Sequence, residues 1–449
     1  MVLGPLDRRA LKTRCEACAR RRIKCVGTPP CTYCNKKKLE CVPQAGGRDT
    51  GMIFVSGPTI RRKAVGPAHS ISIKEPESSL SRFFSVFIVK NDFAGQNLDI
   101  DDIASSFQTS SSLYHAAVAI GAMDLRSVSS SLADRRSATI RALESYQTSI
   151  TTFNSDIQSS DICQSDAAMW TTLFLGLFEL MYDVTGDGWL KHILYGTSQI
   201  LQLRGPETHL TGRGRSFFMT IRPFEICRSL IYSESSFLSQ PEWLWVAERL
   251  RYNTGGCRLR EELFDLMLSC SSFSCKVWEV IKPGITTFGE MVLPDIAAEG
   301  HRLRALLENW HERFQDHVRS SCKDTWSILT KAYYHAISIY LSGIFDYRVQ
   351  FDHLSTACLP TEVIQAHVSS ILVSIEVALK TTNLAGILFF FPLRVAGARA
   401  WTSDQKSTII KTLKEISCRA FVVADAFVLD LSTLWLTHRT RAEPHRTWD

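Results

Sequence analysis

The chain has 449 residues, a net charge of +6, 45% hydrophobic residues and 21% charged ones. That balance excludes a disordered polyelectrolyte and leaves room for two to three globular domains. The charge is not spread evenly. Residues 1–48 hold twelve Lys/Arg against three Asp/Glu, a local +9, so the rest of the chain is net −3. All net positive charge lies in the N-terminal segment, which points to a polyanionic partner for that segment alone.

Residues 1–14 read as a basic arm, with Lys12 and Arg14 in reach of phosphate. Cys15, Cys18, Cys25, Cys31, Cys34 and Cys41 follow, spaced C-x2-C-x6-C-x5-C-x2-C-x6-C. The half-motif C-x2-C-x6-C occurs twice, joined by a loop that contains Pro29 and Pro30. A structural zinc takes four tetrahedral ligands, and thiolate suits it. Six thiolates are too many for one zinc and too few for two separate sites. Two zincs that share two thiolates need six. The repeat symmetry selects the first cysteine of each half as bridge. One Zn2+ then has Cys15, Cys18, Cys25 and Cys31, and the other has Cys31, Cys34, Cys41 and Cys15. The competing reading is a disulfide framework in a secreted domain. The first ten residues argue against it, since they lack an apolar stretch and carry Asp7, Arg8 and Arg9.

The stretch CEACARRRIKCVGTPPCTYCNKKKLEC resembles the fungal six-cysteine binuclear zinc cluster, the DNA-binding module of a large family of fungal transcription factors. The likeness covers all six ligands, the basic run after the second Cys, and a Pro just before the fourth. It implies a small fold of two short helices and loops (residues 15–41), unfolded without zinc. It also implies that the first helix enters the major groove at a CGG triplet, with Arg21 and Arg22 reading guanine O6 and N7. Arg20, Lys24, Lys36, Lys37 and Lys38 then join Lys12 and Arg14 as phosphate contacts, which position without reading sequence. About six neutralised phosphates would make log affinity fall with log salt at a slope near −5.

Residues 42–80 read as a flexible linker, punctuated by Gly and Pro and without a heptad run. Many family members dimerise through a coiled coil at this place. Here monomeric binding and a homodimer through the helical domain both stay open. The basic stretch Arg61, Arg62 and Lys63 adds to the runs that could direct nuclear import.

Residues 81–449 read as one large all-α regulatory domain. Apolar residues at three- and four-residue spacing predict helices over Ser79–Asn91, Ser112–Leu125, Leu132–Phe153, Ser165–Tyr182, Trp189–Leu203, Phe217–Ser233, Leu244–Leu250, Glu261–Cys270, Ile296–Val318, Trp326–Tyr347, Pro360–Thr381 and Ser403–His438. The longest apolar run, Leu384 to Val395, contains Pro392 and Arg394 and is too short to span a bilayer, so no membrane partner is expected. The eight cysteines beyond the cluster show no metal spacing and read as reduced and mostly buried. Trp189 to His192 with Gly196, Arg204-Gly205-Pro206, Phe224 to Leu230, Phe237 to Ser239 and Pro241 to Trp243 resemble the fungal-specific transcription factor domain, the regulatory middle domain of the same family.

Glu225 and Arg228, at i,i+3, read as an ion pair. Trp189 and His192 read as a packed pair, and Asp99 to Ile103 as a helix start. No nucleotide-binding, hydrolase or metalloprotease motif is present, so no enzyme is expected. The expected function is a zinc-dependent, sequence-specific DNA-binding transcription regulator of the nucleus, with double-stranded DNA and the transcription machinery or coactivators as partners. The family likeness extends this to pathway genes such as a secondary-metabolite cluster. The alternative is a zinc-stapled protein-interaction module on a helical scaffold. The +9 segment speaks against it, because such a module has no need of Arg at three successive positions.

Overall fold

A computed structural model describes residues 31–38, 75–93, 103, 106–107, 109–158, 165–186, 196–252, 258–281, 287–320, 325–346 and 348–442. These fall into a small unit, which holds residues 31–38 and the chain from Ser432, and a large unit that ends at Leu431. The described residues are all-α, with no strand; extended backbone pairs only in one isolated bridge, Asp92 with Leu384.

Helix α1, Thr32–Lys37, belongs to the small unit. In the large unit α2, Glu75–Arg82, continues through a wider π-type turn, Phe83–Phe87, into Ile88–Lys90. It starts four residues before the expected Ser79. Helices α3 (Ser111–Val128), α4 (Leu132–Ile157) and α5 (Asp166–Tyr182) follow. Each starts where a serine hydroxyl accepts a first-turn backbone N–H: Ser110 from Leu113, Ser131 from Ala133 and Ser165 from Ala168. Helix α3 is buried almost all round and packs against α2, α4 and α5. At its centre Gly121 lets the backbone of α2 approach closely. A Cβ there would stand 1.9 Å from the Ser79 carbonyl oxygen.

Next come α6 (Ser198–Arg204), α7 (Gly212–Tyr232), α8 (Pro241–Tyr252), α9 (Arg258–Ile281) and α10 (Thr287–Ser320). Then α11 (Thr325–Phe345) packs on α12 (Thr361–Thr381) and α13 (Phe390–Arg399). The Trp326 indole donates to Asp92 at 3.0 Å, and Asp92 exchanges backbone bonds with Asn383 and Ala385. This ties the first helix of the unit to the chain after α12.

Two expectations change here. The apolar run after Leu384 contains α13, a helix that the sequence reading did not mark. Phe389, Phe390, Phe391 and Leu393 are buried on every side, so no polar face reveals the helical period. Pro392 sits in the first turn, where its missing N–H costs no bond. The single expected helix Ser403–His438 is two, α14 (Ser403–Arg419) and α15 (Ala424–Ala442). The chain turns at Ala420, drives Phe421 and Val423 into the core, and lets the Val423 N–H donate to the Leu180 carbonyl at 3.2 Å. That burial, gained only in the folded chain, outweighs continuation of the helix. The expected helix Trp189–Leu203 is described only in its second half, as α6; Trp189 and His192 lie outside the described residues, as do Asp99 to Asp102.

Candidate metal centre and nucleic-acid interface

Cys31 caps the N-terminus of α1, and its sulfur accepts from the Cys34 backbone N–H at 3.5 Å. Both cysteines are buried, at 1% and 0% exposure. Two soft donors thus share one turn, shielded from water, in the C-x2-C arrangement that suits tetrahedral zinc. The donor chemistry fits the metal. Lys36 and Lys37 occupy the last turn of α1, exposed, and Lys38 closes it in the left-handed conformation at φ 49°. Cys15, Cys18, Cys25, Cys41, Lys12, Arg14, Arg20, Arg21, Arg22 and Lys24 lie outside the described residues. Among the described residues no three His, Cys, Asp or Glu side chains are grouped to hold a metal.

In the large unit the motifs at 204–243 form the packing between α5 and α9. Arg204 pairs with Asp166, in the first turn of α5, at 2.8 Å. Gly205 takes φ +81°, which a side chain would resist, and Pro206 opens a 3-10 turn. Arg228 binds Glu225 through two nitrogens, at 2.8 and 3.0 Å, and Glu234 through a third at 3.0 Å. Ser236 and Ser198 donate to the same Glu225 carboxylate. The expected i,i+3 ion pair is therefore the centre of a larger knot. Trp243 stacks on Phe218, meets Phe237 edge-on at 4.8 Å, and lies beside His209, whose Nδ1 pairs with the Gly214 carbonyl. Burial holds the His209 pKa below its ordinary value.

A second knot is deeper. Arg222 of α7 donates to Glu261 and Asp265 of α9 and is 2% exposed. Arg260 binds the other Glu261 oxygen at 3.0 Å and lies over the Trp326 ring, while Arg251 reaches Asp265 at 3.2 Å. Burial pushes the Asp265 pKa up, against the pull of Arg222 and Arg251. These groups are paired to one another, so they lock α7 to α8 and α9 rather than wait for a substrate.

A family model described as the fungal specific transcription factor domain matches residues 79–435, well over half of the chain. The chain belongs to that family. That family is one of transcription regulator domains and is not one of enzymes. An uncharacterized protein of Emericella nidulans is 33% identical over 94 residues, 21% of this chain and 20% of that relative. The match thus spans about a fifth of the relative's own length. No solved structure matches.

The fungal specific transcription factor domain also holds a histidine cluster that periodicity could not reveal, because its members come from three helices. His335 of α11 and His367 of α12 meet Nδ1 to Nδ1 at 2.7 Å. His311 of α10 stacks flat on Tyr334 at 3.9 Å and stands 6.0 Å from His335. Burial, then the neighbouring His367, His311 and Lys331, push the His335 pKa down to about 3. Burial and Arg304 push His367 down to about 4. Both imidazoles are held neutral. Between these values and the ordinary 6.5 the unfolded chain binds more protons than the folded one. The stability they contribute is complete above about pH 6.5 and is lost as pH falls towards 4. His335 alone is expected to cost about 2–3 kcal/mol at pH 4.5. Urea unfolding at pH 7.5 and 4.5 tests this: His335→Gln should lose less stability over that interval than the wild type. An equal loss would assign the acid sensitivity elsewhere.

The cysteines depart from expectation. Of the described ones in the large unit, Cys270 is buried, Cys227 and Cys275 are half-buried, and Cys358 and Cys418 are exposed. Cys227 contacts the Tyr333 hydroxyl at 3.8 Å, and burial pushes its thiol up to about 12, so it stays protonated. Cys358 lies in the loop before α12 and Cys418 on the outer face of α14, where the helical period rather than apolarity sets exposure.

Proposed function

We propose that this transcription regulator binds DNA directly, in a zinc-dependent and sequence-specific way, and acts in the nucleus. The observation that carries the reading is the joining, in one chain, of six regularly spaced cysteines in a +9 segment with a fungal specific transcription factor domain. The buried Cys31–Cys34 turn, with Lys36, Lys37 and Lys38 exposed beside it, supports the second half of the cluster.

Two Zn2+ ions would be held by Cys15, Cys18, Cys25, Cys31, Cys34 and Cys41, with Cys15 and Cys31 shared. When bound, the metal supplies folding energy to a segment too short to fold alone. Arg21 and Arg22 present guanidinium groups to guanine in the major groove. Lys12, Arg14, Arg20, Lys24, Lys36, Lys37 and Lys38 neutralise phosphates and set register. The helical domain conveys control to the transcription machinery or coactivators, at pathway genes such as a secondary-metabolite cluster.

The test is selection from random duplex DNA by the full chain, with zinc and after chelation. Enrichment of a CGG-containing site that chelation abolishes supports the reading. No enrichment by a zinc-loaded chain would transfer the segment to protein recognition. Arg22→Ala is expected to weaken binding to the selected site by about 1–3 kcal/mol with zinc content unchanged. Equal losses on selected and random duplex, measured by anisotropy at fixed salt, would remove Arg22 from the base readers.

A further inference from the structure

The buried arginines among the described residues are Arg222, Arg260 and Arg304. Arg222 and Arg260 both meet Glu261. Arg304 of α10, 8% exposed, pairs with no carboxylate among the described residues. Its Nη2 donates to the carbonyls of Ser338 on α11 and Ala357 in the loop before α12, each at 3.0 Å, and its Nε has no partner. Two carbonyls satisfy hydrogen bonds but leave the charge unbalanced, which is costly away from water. The groups whose charge would reach it are Cys270, Glu308, Tyr334 and Cys358. Burial raises the pKa of Cys270, Tyr334 and Cys358, so these three stay neutral at pH 7. Glu308 is exposed and makes no ion pair with Arg304.

More polar atoms stand unpaired where α10 meets α11. The Ser338 hydroxyl, 1% exposed, lies near that of Tyr334 but has no partner of hydrogen-bond geometry. His335 Nε2 and His311 Nδ1 are also buried without a partner. His335 and Ser338 are at i,i+3 on α11, so they share a face, about 4.5 Å apart along the axis. Tyr334 is one turn from Ser338 and carries His311 of α10 flat on its ring. Where His367 donates in the Nδ1 to Nδ1 pair, His335 holds its proton on Nε2, the atom without a partner. The seam thus offers a guanidinium Nε–H, a serine hydroxyl and an imidazole N–H, with a positive charge and no carboxylate to balance it. An oxyanion supplies both missing things, the acceptors and the charge, through charge-assisted hydrogen bonds.

We propose that the seam between α10 and α11 is a binding site for a small oxyanion, a sulfate, phosphate or carboxylate group, with Arg304 as its counter-ion and Ser338 and His335 as further donors. The site lies in the large unit and needs nothing of the DNA reading.

Titration calorimetry of the zinc-loaded full chain tests the proposal, with sodium sulfate and sodium acetate as probes against sodium chloride at equal ionic strength. The wild type is expected to show a saturable site for one or both, and the two arms tell a tetrahedral oxyanion from a planar one. Arg304→Met should abolish that site. Ser338→Ala removes a hydroxyl that the fold leaves unpaired, so it should weaken binding about tenfold with circular dichroism unchanged. This second variant guards against an Arg304→Met chain that merely misfolds. A wild type that binds neither anion leaves the unpaired atoms to water and overturns the proposal. So does binding that both substitutions leave unchanged, which would assign the anion to the basic N-terminal segment. Duplex binding should be equal in the wild type and Ser338→Ala, so a failed anion site and a failed DNA reading give different results.

Discussion

Serine in place of Cys31 is expected to drop bound zinc from two ions per chain to fewer than one. Specific DNA binding should fall to the level on random sequence, about a thousandfold or more. Under the proposed bridging this thiolate would serve both ions, so its loss would strip a ligand from each. Serine oxygen is a harder and much less acidic donor, poorly matched to zinc. Cys31 also caps α1 and shares its buried turn with Cys34, so the local helix loses its start as well. The fungal specific transcription factor domain, matched over residues 79–435, is built of other helices and should keep its circular dichroism. Metal content by mass spectrometry and duplex binding by anisotropy measure both effects, with Cys358→Ser, an exposed loop position, as control. A Cys31→Ser chain that retains two zincs would refute the bridging role.

Glu261→Ala should destabilise the large unit by about 3–5 kcal/mol, enough to leave many domains of ordinary stability partly unfolded. Glu261 is almost fully buried and answers two cations, Arg222 and Arg260, that are buried with it. Its removal leaves Asp265 to serve both Arg222 and Arg251, and takes from Arg260 the carboxylate that it binds at 3.0 Å. A stranded buried charge costs far more than a broken surface pair. Chemical denaturation reads the loss, and a cycle with Arg222→Met separates the pair from the rest. If Arg222→Met in the Glu261→Ala background costs as much as it does alone, the two side chains are not coupled. A loss below about 1 kcal/mol would mean that the cluster is solvated.

The helices most visible in the sequence were those with a local start signal. Helices α3, α4 and α5 have Ser110, Ser131 and Ser165 at their caps and lie close to their expected spans. Helix α13 and the break at Ala420 were invisible for the opposite reason. Where the helix is buried and no side-chain cap marks its start neither signal remains, and where a turn is set by the core no local residue announces it.

The candidate metal and DNA site is a matter of spacing and charge along the chain, so it was proposed from the sequence alone: six thiols within 27 consecutive residues, inside a 48-residue segment of net charge +9. The Glu225–Arg228 pair was legible too, being one helical turn apart. What surrounds that pair was not. Arg222 finds Glu261 and Asp265 39 and 43 residues away, and His335 finds His367 across 32. Periodicity states which side of a helix avoids water, but not which helix covers it. That choice belongs to the packing of the whole unit, which joined the charges, gathered three histidines from three helices, and left the outer face of α12 to solvent.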